Sequence, residues 1–465
     1  LCLVTKDFKY FCNMKRVNYE DTICALATGG GMSAIALIRI SGNKSISTIN
    51  NLFSKDLIGK QSHTIHFGNI MDKENIIDEV IVTIFQKNQS FTGEETVEIS
   101  CHGSKFIQNK IIELLINSGI RIANPGEFSM RAFKNGKVDL SQAESIADLI
   151  ESESEAAHKT AIQHLKGGFS KKLKYLREKL IDFASLIELE LDFSEEDVEF
   201  ANRKQLEDLV NEMHKEISSL IDSFSIGNVI KNGIPVAILG SPNVGKSTLL
   251  NSLLNDDRAI VSEIPGTTRD AIEDQIIING LNYRFIDTAG IRKTNDKVEN
   301  LGIARSLSHA KKSNIIIYLI DATKDVNSQL KNIKKLNIED QDKVIRVVNK
   351  IDLNKKINSE INDAICISAI NQTGIDNLKQ QISNFTNTNN LDNNNTIITN
   401  QRHYEQLIKT LAELELVIKG LEDGLSSDLL AINIKESLYH LGLITGEVSS
   451  DDLLGNIFGK FCIGK

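Results

Sequence analysis

The stretch "GSPNVGKST" (Gly240–Thr248) is where residue type and spacing first point to chemistry. It fits G-x-x-x-x-G-K-[ST] from Gly240 to Ser247, between an apolar run, "IPVAILG", and a segment of helical texture. The two glycines let consecutive backbone N–H groups turn inward around a β-phosphate. Lys246 supplies a point charge there, and the Ser247 hydroxyl is suited to Mg²⁺. Asn243, Val244, Gly245 and Thr248 complete the phosphate loop. Three more motifs end apolar runs further along the chain: "DTAG" (Asp287, Thr288, Ala289, Gly290), "NKID" (Asn349, Lys350, Asp352) and "SAI" (Ser368, Ala369, Ile370). Asp287 is suited to hold Mg²⁺ through water, and the Gly290 N–H to sense a γ-phosphate. Asp352 can accept hydrogen bonds from the ring N–H and exocyclic amine of guanine, a donor pair adenine lacks. The "SAI" backbone is placed to touch the same base. Between the first two motifs lies "SEIPGTT" (Ser262, Glu263, Ile264, Pro265, Gly266, Thr267, Thr268), where Thr268 would complete the Mg²⁺ shell. Ordered on strand ends, these motifs predict a site for GTP. The residue after "DTAG" is Ile291, where many switch GTPases carry a water-orienting Gln. An apolar side chain cannot orient water, so a polar group from elsewhere must do so.

The elements that carry these motifs are legible in the texture. From about residue 229 to 385, apolar runs such as "YRFIDTAG", "NIIIYLID" and "KVIRVVNKID" alternate with helical segments, which predicts a parallel sheet covered by helices. Before it, Leu173, Leu176, Leu180, Ala184, Ile187 and Leu191 recur at spacings of three and four, as do Leu206, Val210, Met213, Ile217, Leu220 and Phe224. Each set lays one apolar stripe along a helix. After it comes "TNTNNLDNNN", too polar to pack and expected to be a linker over 387–400. A helical stripe then resumes at Tyr404, Leu407, Leu411, Leu414, Ile418 and Leu421. Helices on both sides of an α/β unit predict a helical domain interrupted by an insertion. Residues 21–133, with short β-branched runs such as "AIALIRI" and "EVIVTIF", read as a separate α+β domain.

Composition narrows the class. The chain has 465 residues, with 53 Lys+Arg against 62 Asp+Glu and a net charge of -9, which speaks against a broad non-specific nucleic-acid surface. Its six cysteines (Cys2, Cys12, Cys24, Cys101, Cys366, Cys462) form no C-x-x-C pair and predict a reduced, cytoplasmic setting. No apolar run reaches the length of a membrane span. Residues 1–13, "LCLVTKDFKYFCN", precede "MKRVNYEDTICALATGGG" and read as an upstream extension rather than part of the fold.

Together the G motifs, "PGTTRD", "FTGEETVEISCHG", "RIANPGEFSMRAFKNGKVDLSQAESIADLI", "ITGEVSSDDLLG" and the ending "SDDLLGNIFGKFCIGK" resemble the tRNA modification GTPases called MnmE or TrmE, from about Asp21 to Lys465. The resemblance implies a multidomain α+β, α and α/β protein. It would comprise a folate-binding α+β domain over 14–135, a discontinuous helical domain over 136–228 and 401–465, and an inserted P-loop GTPase domain with a mostly parallel sheet over 229–386. It implies a homodimer that joins the FAD-dependent MnmG in a heterotetramer. That assembly would add a carboxymethylaminomethyl or aminomethyl group to carbon five of the wobble uridine of certain tRNAs. A folate such as 5-formyltetrahydrofolate would supply the one-carbon unit. Arg39, Glu98, Lys137 and Lys465 match the expected folate contacts. A pterin offers donors that a carboxylate such as Glu98 can accept, and cationic side chains suit its glutamate tail. Glu299 matches the residue that acts on the attacking water, with Lys246 beside the phosphates. K⁺ would be held by Asn243, Ser262, Ile264 and Thr267, since hard cations prefer oxygen ligands. Two stretches depart from the family pattern: "ATGGGMSAIA" replaces a Pro-Gly-rich loop, and "HGG" becomes "HGS" at His102–Ser104.

Cys462, four residues from the end, has the outline of a prenylation site, but Lys is a poor final residue for that chemistry and no polybasic stretch precedes it. The resemblance makes C-I-G-K the family's own terminus. Cys462 is then either a nucleophile or redox group, or part of a binding tail, and the binding tail is favoured. Two other classes share the G motifs. A switch-type signalling GTPase needs neither the first domain nor the tail. A ribosome-assembly GTPase of the Era or Der kind calls for a basic RNA-binding appendage.

Overall fold

The computed structural model describes residues 21–192, 203–256, 274–286, 311, 313–326, 328–330, 343–354, 364–385 and 396–464. The expected extension at 1–13 lies outside them. The chain divides into two compact units, residues 1–147 with 445–465, and residues 148–444.

In the first unit, short runs rich in Ile and Val pair as β1 (Ile23–Leu26), β2 (Ile35–Ser41), β3 (Thr64–Asp72), β4 (Asn75–Phe85), β5 (Thr96–His102) and β6 (Arg121–Ile122). The sheet order is β3-β4-β5-β2-β1-β6, antiparallel except for the β1–β6 pair. Alternation along each strand sends Ile38, Ile40, Val80, Val82, Val97 and Ile99 to one face, against Ile111 and Leu115 of α2 (Lys105–Asn117) and Ile46 and Ile49 of α1 (Ser45–Leu52). That register leaves Arg39 of β2 directly opposite Glu98 of β5. A second cluster joins Met130 of α3 (Glu127–Lys134) to Leu140, Leu454 and Phe458.

In the second unit, α5 (Glu155–Leu165) is followed by α6 (Gly168–Asp192) and α7 (Arg203–Asn232), which share one apolar core with two later helices. Helix α4 (Leu140–Glu151) precedes α5 in the chain. The predicted stripes of α6, from Leu173 to Ile187, and of α7 face this core, as do Leu407 and Leu414 further on. The second sheet contains β7 (Ile234–Gly240), β8 (Asp274–Ile278), β9 (Leu281–Phe285), β10 (Ile315–Asp321), β11 (Val344–Asn349) and β12 (Ile365–Cys366). Its order is β12-β11-β10-β7-β9-β8, parallel apart from the β8–β9 hairpin. Leu249, Leu250 and Leu253 of α8 (Lys246–Asp256) and Leu378 and Ile382 of α9 (Ile375–Phe385) cover it. Helices α10 (Gln401–Glu422) and α11 (Ser427–Thr445) follow, and α12 (Asp451–Phe458) belongs to the first unit.

Two boundaries differ from the reading of the sequence. The sheet-bearing segment was expected from 229, but α7 continues to Asn232 and stops at Gly233, whose φ of 77° only a residue without Cβ adopts cheaply. The expected linker over 387–400 is not linker throughout. Residues 386–395 lie outside the described residues, but Ile398 is buried, its N–H donates to Ser223 Oγ, and the Ile397 carbonyl meets His164 Nε2 at 2.8 Å. Two Ile after an Asn-rich run suffice to seat the chain in the helical core.

Candidate functional site

The phosphate loop leaves β7 and enters α8, the strand-to-helix passage the motif requires. Gly245 has φ 102°, and a Cβ there would meet Asn349 Nδ2 at 2.4 Å, so this glycine is dictated both by backbone and by close approach. Asn243, with φ 60°, also takes the left-handed conformation that Asn tolerates better than most residues. Lys246 curls over the loop, its Nζ donating to the carbonyls of Gly240 at 2.7 Å and Ser241 at 3.1 Å. Burial pushes its ammonium pKa down, a cost that an anionic ligand beside it would offset. Ser247 and Thr248 follow in the first turn of α8.

The base-reading motifs lie at the same edge of the sheet. Asn349 is buried at the end of β11. Its Nδ2 donates to the Val244 carbonyl at 3.0 Å, and its Oδ1 accepts from the Ala369 N–H at 3.0 Å. One side chain thus joins the phosphate loop, "NKID" and "SAI". A peptide plane is rigid, with its C=O and N–H on opposite sides. Fixing the Val244 carbonyl therefore also fixes the direction of the Gly245 N–H. Lys350 Nζ donates to the Asn243 carbonyl at 2.8 Å. The Ser368 hydroxyl donates to Asp352 Oδ1 at 2.6 Å and accepts from the Asn371 N–H, holding that carboxylate at the loop, while Ile370 is exposed beside it. An oriented carboxylate and an adjacent backbone turn suit a guanine edge. Of the expected nucleotide residues, Asn243, Val244, Gly245, Lys246, Ser247, Thr248, Asn349, Lys350, Asp352, Ser368, Ala369 and Ile370 are described and come together here. Ser262, Glu263, Ile264, Pro265, Gly266, Thr267, Thr268, Asp287, Thr288, Ala289, Gly290, Ile291 and Glu299 lie outside the described residues, so of the residues expected around Mg²⁺ and K⁺ only Ser247 and Asn243 are seen.

In the first unit, Arg39 Nε donates to Glu98 Oε1 at 2.8 Å across β2 and β5, with each side chain about one-fifth exposed. The guanidinium lies 5.7 Å from the Phe91 ring and 5.8 Å from that of Phe128. Its Nη1 donates to the Gly464 carbonyl at 3.4 Å. The tail therefore returns to this pair, helped by the Gly126 N–H, which donates to the Cys462 carbonyl. Lys137 bonds neither Arg39 nor Glu98. Its Nζ donates to the Asn88 carbonyl at 2.5 Å, on the same β4–β5 connection that carries Phe91. Lys465 lies outside the described residues. Cys462 is exposed, whereas burial pushes the thiols of Cys24 and Cys101 up to about 11. A charged pair flanked by aromatic faces fits a planar heterocycle with a polar edge. Reading the sequence missed Phe91 and Phe128, although Phe91 stands inside the quoted "FTGEETVEISCHG".

Behind the pair, Arg131 is buried among Asp21, Glu94 and Glu127, its Nη atoms within 2.6–3.2 Å of their carboxylates. Burial would raise the Asp21 and Glu127 pKa values, but the guanidinium groups of Arg121 and Arg131 outweigh it and hold both below the ordinary range. This network fixes α3, and with it Phe128, under Arg39.

Fold and site define a P-loop GTP hydrolase with additional domains. Family models match residues 22–137 as the GTP-binding protein TrmE N-terminus and residues 140–462 as the MnmE helical domain. Curated proteins named tRNA modification GTPase MnmE align along nearly the whole chain. That of Flavobacterium johnsoniae is 52% identical over 470 residues, covering 96% of this chain and 99% of its own. That of Flavobacterium psychrophilum is 53% identical over 460 residues, covering 96% and 100%. That of Bacteroides thetaiotaomicron is 47% identical over 465 residues, with the same coverage. The chain belongs to the MnmE family of tRNA modification GTPases.

Proposed function

We propose that this GTPase works as a homodimer with the FAD-dependent MnmG to place a carboxymethylaminomethyl or aminomethyl group on carbon five of the wobble uridine of certain tRNAs. GTP is bound by the phosphate, "NKID" and "SAI" loops. Lys246 offsets phosphate charge, Ser247 and Thr268 would hold Mg²⁺, and Asn243, Ser262, Ile264 and Thr267 would hold K⁺. Glu299 would orient the water that attacks the γ-phosphate, the role Ile291 cannot fill. Arg39, Glu98, Lys137 and Lys465 would hold a folate such as 5-formyltetrahydrofolate, which supplies the one-carbon unit when bound. A cytoplasmic location accords with a tRNA substrate. Among the described residues, no helix is long and apolar enough to cross a membrane.

The observation that carries the one-carbon part of this reading is the return of the tail to the Arg39–Glu98 pair between two aromatic rings. Its test is titration calorimetry with 5-formyltetrahydrofolate. Glu98→Ala removes an acceptor for pterin donors and should weaken binding by ~1–3 kcal/mol, while GTP turnover persists. Unchanged folate affinity would remove Glu98 from the site.

A further inference from the structure

We infer that Asp321, at the carboxyl end of β10, is a positioning residue for guanine-nucleotide binding that acts through Lys350 to hold the phosphate loop. The sheet order creates the need. Strand β10 lies between β7, which delivers the phosphate loop, and β11, which delivers "NKID". Any bond between those two loops must cross the end of β10. Asn349 spans the gap with a short, buried amide, but Lys350 spans it with a long side chain that has many rotamers open to it. An ammonium at the end of such a chain keeps one position only if a second partner anchors it.

Asp321 is that partner. It pairs in register with Asn349, and its Oδ2 accepts from Lys350 Nζ at 2.7 Å. The carboxylate is itself immobilised. Oδ1 accepts from the Thr323 N–H at 3.0 Å and the Thr323 hydroxyl at 2.7 Å. Its backbone is clamped from both sides by Gln329, whose Oε1 accepts from the Asp321 N–H at 2.9 Å and whose Nε2 donates to the Asp321 carbonyl at 3.0 Å. The side chain is 4% exposed. Burial would raise its pKa, but the bonds from Lys350 and Thr323 outweigh it and hold the carboxyl below the ordinary Asp value, so the charge persists at neutral pH.

The consequence follows from peptide geometry. With the Asn243 carbonyl held by Lys350, the Val244 N–H is fixed on the opposite side of the same rigid plane. Asn349 does the same for the next plane, so two successive loop N–H directions are set from β11. A fixed cluster of N–H groups is what a phosphate needs, and the charge at the end of β10 maintains half of it. Lys350 sits at φ 68°, a conformation costly for a residue with Cβ, which the surrounding bonds must over-determine.

The experiment uses the full chain, a fluorescent N-methylanthraniloyl-GDP probe and a double-mutant cycle. Asp321→Asn preserves shape and the Thr323 bonds but removes the charge. It should weaken probe binding about tenfold, the scale of one lost bond to a charged group. In a Lys350→Met background the same change should cost nothing further, because the residue through which Asp321 acts is gone. A purely structural carboxylate would give equal losses in both backgrounds. Equal losses, or an Asp321→Asn affinity within twofold of wild type, overturn the proposal. Should Asp321→Asn fail to give folded protein, Asp321→Ser is taken through the same cycle. A loss that is seen with Lys350 present but is absent in the Lys350→Met background sustains the proposal, and equal losses or unchanged affinity refute it.

Discussion

Asn349→Ala should separate the phosphate loop from the base-reading loops. The wild-type amide makes two bonds, to the Val244 carbonyl and from the Ala369 N–H, both at 3.0 Å and both away from solvent. Each is worth about 1 kcal/mol net, so the loops lose about 2 kcal/mol of mutual restraint. If the loops must sit in this arrangement to bind nucleotide, the competent population falls by up to about 30-fold, at 1.4 kcal/mol per factor of ten. Alanine leaves the buried Val244 carbonyl and Ala369 N–H without their partner, so the thermal midpoint should fall as well. The assay is equilibrium titration of a fluorescent GDP analogue, read beside a thermal melt. Because Asn349 fixes the Gly245 N–H and also joins the two loops, affinity for GDP and the weak affinity for free inorganic phosphate should both drop, that for GDP the more. A variant that melts earlier but binds GDP as wild type would refute the view that Asn349 organises the site.

Three further outcomes follow. His164 is buried, and burial, then the neighbouring His403, depresses its pKa from 6.5 to about 4. The unfolded chain therefore binds the extra proton first, and its share of stability, present above pH 6.5, is lost as pH falls to about 4. At ~1.4 kcal/mol per pH unit this is about 3 kcal/mol, and the stability lost between pH 6.5 and 4, measured by urea unfolding at each pH, should be smaller by about that amount in His164→Gln, with equal losses counting against it. GTP turnover should be much faster in KCl than in NaCl at equal ionic strength, and Glu299→Ala should lower it by at least ~100-fold with little change in nucleotide affinity; equal rates in both salts would reject the potassium reading. Deleting Cys462–Lys465 should abolish tRNA modification while leaving GTP binding intact, and modification retained by Cys462→Ser would exclude a nucleophilic thiol.

What the sequence by itself determined was everything that depends on local order along the chain. "GSPNVGKST" and "NKID" name their residues because a phosphate loop and a base-reading loop each work through neighbours in sequence, and strand ends announce themselves by apolar runs that stop at a polar motif. The apolar stripes of α6, α7 and α10 were legible for the same reason, since a 3.6-residue period needs no knowledge of what covers it. Only the tertiary structure decided what depends on strand order. "NIIIYLID" reads as one more apolar strand, and nothing local marks Asp321 as the charge under Lys350. That role exists because β10 lies between β7 and β11. Likewise Arg39 and Glu98, 59 residues apart, become partners through the β2–β5 register, and Phe91 and Phe128 flank them only after α3 is fixed by the buried Arg131 network. The seating of residues 396–400 was hidden for a related reason. Composition measures how much a segment can bury, whereas Ile397 and Ile398 are held by His164 and Ser223, partners more than 170 residues distant in the chain.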